Sequence, residues 1–330
     1  MHLMISRVEG IGDVCLTLPA VGYIKRLLPD CKISMLVSPY SQAVARACTW
    51  LDDVVVLQPG QSVDEIAMFL SGFQVSHFVH VTANKTLSKA AKQAKIPNRS
   101  GLAGRYYHLF TCTQLIWMSR AKSGLHEVQF NLLLLVRSLK LVEPTFEELK
   151  THMVDWAGFQ PAANPTPGKM QVILHPFSRG HGREWPIQRY AELAHLLVKQ
   201  NIRPVIGGTQ ADAQLFEPGQ SQFPVECQLV FGQDTLEGYI QRIAHANALV
   251  ASGTGPLHIA SIMGQRCVGL FPPRKVVHSK RWGCLTPASR NLELPDFCNR
   301  DCSNTECACM QAISAASVAD ALTALMHPAH

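Results

Sequence analysis

Short runs of β-branched and apolar residues alternate along this chain with longer amphipathic stretches, and the alternation stops once and then resumes. The runs at 2–8, 33–37, 54–57 and 75–81 read as strands, with helices at 13–28, 40–48 and 63–70. Strands separated by helices of this length imply a parallel sheet, because each connection must carry the chain back to the end it started from. From 84 to 141 the helical pattern dominates, most strongly in the apolar stretch 127–141. The segment 160–168 then holds three prolines and one glycine in nine residues, and it reads as a linker. Beyond it, strands are expected at 171–175, 203–206, 229–231, 248–251 and 267–271. Helices are expected at 187–200, 211–216, 236–246 and 256–263, with a last one at 314–326. The organisation that follows is α/β throughout: one domain at 1–160, the linker at 161–168, a second domain at 169–313 and a terminal helix at 314–330. Ligands of such sheets bind beyond the carboxyl ends of the strands.

A chain of 330 residues has room for two domains at about 150 residues each. With 47% hydrophobic and 16% charged residues it can bury a sizeable core, which excludes a disordered or mainly solvated protein. The net charge of +6 is modest, and no compact run of Lys and Arg marks a nucleic-acid surface. Mild attraction to an anionic substrate or membrane face is compatible with it. Eleven cysteines do not make a disulfide scaffold in a chain this long. Seven of them, scattered through apolar stretches, read as buried thiols. No apolar run approaches the roughly 18 residues of a membrane span, and the first residues lack the pattern of a secretory signal. A reducing cytoplasm is the expected compartment.

Four constellations carry the chemistry. The first is Arg7-Val8-Glu9-Gly10-Ile11-Gly12-Asp13, where a strand turns into a helix. The glycines permit a tight turn, and Asp13 is either a helix cap or a carboxylate available as a general base. The second is Ser252-Gly253-Thr254-Gly255-Pro256-Leu257-His258, again between strand and helix. Its backbone N–H groups, the Thr254 hydroxyl and the helix dipole make a phosphate cradle, with His258 one turn further on. The third is the loop 178–186, which contains Ser178, Arg179 and Arg183; guanidinium forks suit phosphate oxygens. In the fourth, Gly207-Gly208-Thr209-Gln210-Ala211-Asp212, the acid either bonds a ribose hydroxyl or caps the helix. Together they describe a diphosphate-nucleotide ligand held mainly by the second half, with a base supplied by the first.

The ordered set of motifs resembles the glycosyltransferase family that contains the lipopolysaccharide heptosyltransferases, glycosyltransferase family 9. The resemblance is carried by R-x-x-x-I-G-D-x-x-x-x-x-P-A at 7–20, His126-Glu127-Val128, Arg183-x-Trp185-Pro186, Thr254-Gly255-Pro256-Leu257-His258, Arg281-Trp282-Gly283 and Cys309-Met310-x-x-Ile313-Ser314. It implies a GT-B fold, two Rossmann-like domains facing each other across a cleft, acceptor in the N-terminal one and nucleotide sugar in the C-terminal one. The final helix in such folds often packs back on the N-terminal domain. The implied reaction is an inverting, metal-independent transfer of a sugar, typically heptose from ADP-heptose, to a lipid A–Kdo or lipopolysaccharide core acceptor at the inner face of the inner membrane. By position, Asp13 would be the general base. Ser178, Arg183, Asp212, Gly253, Thr254, Gly255 and His258 would bind the donor, and Gly12, Arg105 and His126 the acceptor. One departure concerns the sugar: many members carry an acid where this chain has Gly253.

Cys298, Cys302, Cys307 and Cys309 could hold a structural metal, although their spacing misses the usual paired pattern. The chemistry requires neither metal nor cofactor beyond the nucleotide sugar. A sugar-nucleotide epimerase on the same two-domain plan and a non-catalytic sugar-nucleotide-binding protein are the alternative readings.

Overall fold

The computed structural model describes residues 1–159, 168–178, 180, 182–296, 298, 302–303 and 305–327. The segment read as a linker lies, except for Gly168, outside the described residues. The chain divides into two compact units, Met1–Gln160 and Pro161–His330.

The first unit is built on β1 (His2–Ser6), β2 (Lys32–Val37), β3 (Asp53–Val56), β4 (His77–His80), β5 (Asn98–Leu102) and β6 (Gln114–Ile116). All pairings are parallel and the strand order is β3-β2-β1-β4-β5-β6. β1 lies inside this sheet and is buried along its length, so its sequence is an unbroken apolar run rather than an alternating one. From β1 the chain moves outward one way to β2 and β3; from β4 it moves the other way. The loops that leave β1 and β4 therefore diverge at the carboxyl edge, the topological switch point where such sheets hold ligands. Below the strands, Met4, Leu36, Val55 and Phe78 form a core with helices Val63–Ser71 and Lys85–Gln93.

The helix expected over 13–28 is two helices, Ile11–Cys15 and Leu18–Leu27. Pro19 sits in the first turn of the second, where its missing N–H costs nothing. Leu18–Leu27 packs closely on Phe146–Ala157, and Gly22 makes this possible. A Cβ on Gly22 would stand 2.1 Å from the Trp156 carbonyl oxygen. The stretch 84–141, expected to be helical, contains β5 and β6. Both are short, and Asn98-Arg99 and Gln114 lend them polar starts.

The second unit repeats the topology with β7 (Gln171–His175), β8 (Arg203–Ile206), β9 (Gln228–Leu229), β10 (Ala248–Ser252), β11 (Cys267–Leu270) and β12 (Ser289–Leu292). Its order is β12-β11-β10-β7-β8-β9, all parallel, with the switch point between β7 and β10. The core joins Val172, Leu174, Val250 and Leu270 to helix Ile187–Lys199 and to the last helix, Ala315–Met326. Of that last helix, Val318, Ala319, Leu322 and Leu325 belong to the second unit's core, and Arg266 Nε donates to the Leu325 carbonyl at 3.0 Å. No helix among the described residues is long and apolar enough to cross a membrane.

Candidate functional site

In the first unit the switch point carries a group of buried charges. Arg7 follows β1 directly and is only 2% exposed. Its guanidinium Nη2 donates to Asp13 Oδ1 at 2.6 Å and to Glu127 Oε1 at 3.3 Å, its Nε donates to the Asp13 carbonyl at 3.1 Å, and Nη1 lies 3.4 Å from Glu9 Oε2. The second Asp13 oxygen accepts from the Gly10 N–H at 3.3 Å. A carboxylate has about four acceptor positions, so Asp13 keeps capacity for another hydrogen bond, and its side chain is 27% exposed. Glu127 is buried and pairs with both Arg7 and Arg120. Arg120 also donates to Asn131 Oδ1 at 3.0 Å, and Asn131 Nδ2 donates to the Leu16 carbonyl at 3.0 Å. The network thus runs from the end of β1 to helix Glu127–Ser138 and back to the turn after Ile11–Cys15. Thr82, just beyond β4, closes it by donating to Glu9 and accepting from the Val8 N–H.

The residues expected to meet an acceptor are placed unequally. Gly12 lies within helix Ile11–Cys15, beside Asp13. Arg105 is exposed in the loop after β5. His126 is 3% exposed and caps its helix, Nδ1 accepting from the Val128 N–H at 3.2 Å.

In the second unit the loops after β7 and β10 meet at the switch point. Ser178 is held in place by Glu184, whose Oε1 accepts from the Ser178 N–H at 2.7 Å and from its hydroxyl at 2.9 Å. This closes a small loop that carries Gly182 and Arg183; Arg179 and His181 lie outside the described residues. A Cβ built on Gly182 would lie 3.8 Å from the Gly253 carbonyl oxygen, so the two loops touch. Trp185 anchors the far end, fully buried and donating from Nε1 to the Ile313 carbonyl at 2.9 Å.

After β10 the backbone turns through Gly253 and Thr254 into helix Gly255–Ile262. Thr254 occupies the cap position, yet its hydroxyl caps nothing: Oγ1 is buried and has no partner among the described residues. The first-turn N–H groups of Gly255 and Leu257 have no partner within the helix, and Pro256 has none to offer. An uncapped helix start next to a free buried hydroxyl suits an anion. His258 is buried one turn in, with its ring 6.3 Å from that of Trp282. At Gly253 a Cβ would come within 2.8 Å of the buried Phe271 ring, so that ring occupies the space a side chain would need. Below the turn, the end of β7 is pinned by Tyr190 and Tyr239, which bond His175 at 3.1 Å each. Burial pushes both phenols up, so they remain neutral.

Asp212 is 3% exposed and forms a capping box with Thr209, Oδ2 accepting from the Thr209 N–H at 2.7 Å and the hydroxyl at 2.8 Å. The capping alternative is the one this geometry displays. For the four clustered cysteines the structure gives no support for the structural metal considered from the sequence. No group of three or more His, Cys, Asp or Glu among the described residues is placed to hold a metal. The Cys309 thiol is pushed up to about 11 by burial and by the neighbouring thiols of Cys298, Cys307 and Cys302.

The pattern of glycosyltransferase family 9 (heptosyltransferase) matches residues 83–310, most of the chain. The chain belongs to this family. It is a glycosyltransferase, and the two six-stranded units are the parts of a GT-B fold. A Haemophilus influenzae protein assigned as a glycosyltransferase is 20% identical over 304 residues, covering 88% of each chain. Among solved structures, the E. coli ADP-heptose lipopolysaccharide heptosyltransferase II superposes with a TM-score of 0.79 at 16% identity, covering 99% of this chain and 98% of that one. An E. coli heptosyltransferase solved with ADP gives 0.72 at 17% identity, covering 98% and 100%. At these identities the likeness is one of fold.

Sequence reasoning did not assign Glu127, Arg120 or Asn131 to the site of this glycosyltransferase. Glu127 stood inside a motif, next to the His126 that was chosen. The available signal was a charged residue opening an otherwise apolar helix, which is costly unless it is paired.

Proposed function

We propose that this glycosyltransferase inverts configuration at the anomeric carbon, needs no metal, and transfers heptose from ADP-heptose to a lipopolysaccharide inner-core acceptor, with Asp13 as general base. The carrying observation is the Asp13 carboxylate at the end of β1, oriented through Arg7 Nη2 at 2.6 Å and the Gly10 N–H at 3.3 Å, with an exposed side. A base must be held still and remain reachable, and this arrangement meets both needs.

In the proposed reaction Asp13 takes the proton of an acceptor hydroxyl. The freed oxygen forms a bond to the anomeric carbon on the face opposite the diphosphate. The carbon–oxygen bond to the diphosphate breaks, and its electron pair leaves with the nucleotide. Charge then grows on the phosphate oxygens, where preorganised donors count most. The first turn of helix Gly255–Ile262, the Thr254 hydroxyl, Arg183 and His258 supply them, with Ser178 and Gly253 shaping the loops around them. Because the protein supplies positive dipole and guanidinium charge at that place, the step is drawn without a metal ion.

The first unit is assigned to the acceptor, with Gly12 and Arg105 beside its path, and the second to the nucleotide sugar. A lipid A–Kdo or core acceptor would bring the enzyme to the cytoplasmic face of the inner membrane as a peripheral protein. Gly253 favours a second reading of the sugar alone: with Phe271 filling the space, no acid at 253 can contact it. Incubation with ADP-, UDP- and GDP-sugars and lipid A–Kdo, read by mass spectrometry, tests the proposal. A heptose mass added from the ADP-sugar supports it. Transfer of another sugar sustains only the second reading, and release of free sugar or epimer with no acceptor product contradicts both.

A further inference from the structure

Between Glu65 and Glu127 the sequence contains eight Lys or Arg and no Asp or Glu. Since the whole chain carries +6, the remainder is net negative, although it includes a second acid-free stretch between Glu237 and Glu293 with seven Lys or Arg. The fold gathers part of the first stretch's charge on one face. Helix Lys85–Gln93 buries Leu87, Ser88, Ala90 and Ala91, which leaves Lys85, Lys89 and Lys92 in a row on the outward side. Beside them runs the short helix His108–Thr111. There Tyr106 is 63% exposed, Leu109 56% and Phe110 71%.

Two contacts tie the apolar side chains to the lysine row. Lys92 Nζ donates to the Phe110 carbonyl at 2.9 Å, and Lys85 Nζ stands 5.6 Å from the centre of the Tyr106 ring. Trp117, 84% exposed, leaves β6 at the edge where the Tyr106 loop leaves β5, the two joined by the Ala103 N–H to Ile116 carbonyl bond. Four large apolar side chains exposed within a dozen residues exceed the scatter normal for a soluble surface. Aromatic and aliphatic groups next to lysines form the pattern of an interfacial membrane contact, with Asp64, which accepts from Gln93 Nε2 at 2.7 Å, at its margin.

We propose that this face seats the protein on the surface of an anionic lipid bilayer. Phe110, Leu109 and Trp117 enter the boundary between headgroups and acyl chains, and the lysine row meets lipid phosphates. The excess of lysines over the one neighbouring acid, Asp64, argues for lipid over a protein partner, because an interface for a typical protein surface would be mixed in sign. This deepens the peripheral membrane contact proposed above, and it requires neither the donor nor the acceptor assigned there.

The test is co-sedimentation of the full chain with vesicles of phosphatidylglycerol and phosphatidylcholine, without nucleotide sugar or lipopolysaccharide. Binding is expected to weaken with added salt and to be much lower on pure phosphatidylcholine. The double variant Phe110→Ser/Trp117→Ser should lose most of it, and Lys85→Glu/Lys89→Glu should weaken it about tenfold or more. Transfer to a soluble, delipidated acceptor should be unchanged in both, which also shows that they fold. Equal binding to neutral vesicles, or unaltered binding by both variants, would overturn the proposal. So would a dimer that forms without vesicles and is broken by Phe110→Ser/Trp117→Ser, since the face would then belong to a second copy. Because no sugar transfer enters the binding measurement, it can fail while the proposed reaction stands, or succeed while that reaction fails.

Discussion

Arg7 is the residue on which the first unit's charges converge: Glu9, Asp13 and Glu127 all approach a guanidinium that is almost entirely buried. Such a group is costly to bury alone, and its carboxylate partners offset the desolvation. Those partners are unequal. Asp13 is part-exposed and can exchange its bonds with solvent, whereas Glu127 is as buried as Arg7 and also holds Arg120. Glu127→Ala is therefore expected to cost about 3–5 kcal/mol by leaving two guanidiniums underpaired. Asp13→Ala should cost clearly less. Urea denaturation of both variants checks the ranking, and equal losses would show that Glu127 is not the anchor. This difference was not legible in the sequence. Asp13 stands in a local pattern of glycines after a strand, but the bond from Arg7 to Glu127 joins residues 120 apart. Asp212 shows the opposite problem: a helix-capping acid and a ribose-binding acid share one local sequence, and the structure displays the capping box with Thr209.

At the scale of elements, legibility followed burial. β1, β2, β7, β10 and β11 are covered on both faces and announce themselves as apolar runs. β5, β6 and β12 lie toward sheet edges and carry Asn98, Arg99, Gln114, Arg290 and Asn291, so their apolar content is too low to mark a strand. The last helix was recognisable from its spacing, but its docking was not, because periodicity reveals an apolar face without naming what covers it. Helix contact also depends on single residues. Gly22→Ala would drive a methyl group into the Trp156 carbonyl, which is backbone and cannot rotate aside. Overpacking of this kind costs about 1–3 kcal/mol. Thermal unfolding of Gly22→Ala should show the loss, and an unchanged midpoint would mean that Leu18–Leu27 and Phe146–Ala157 are not packed as closely as described.

For the whole molecule, two units with one topology present different chemistry at their switch points. The first offers a held carboxylate among buried arginines; the second offers an uncapped helix start, a free buried hydroxyl and a loop that brings in Arg183. One arrangement suits removing a proton and the other suits receiving a diphosphate, which is the division an inverting transfer needs. The most direct test compares wild type with Asp13→Asn in two assays, equilibrium binding of the nucleotide sugar and transfer to the acceptor. Nearly equal donor affinity is expected, with turnover lowered by about 10²–10⁴-fold, the usual contribution of general base catalysis. Full turnover by Asp13→Asn would contradict Asp13 as the base.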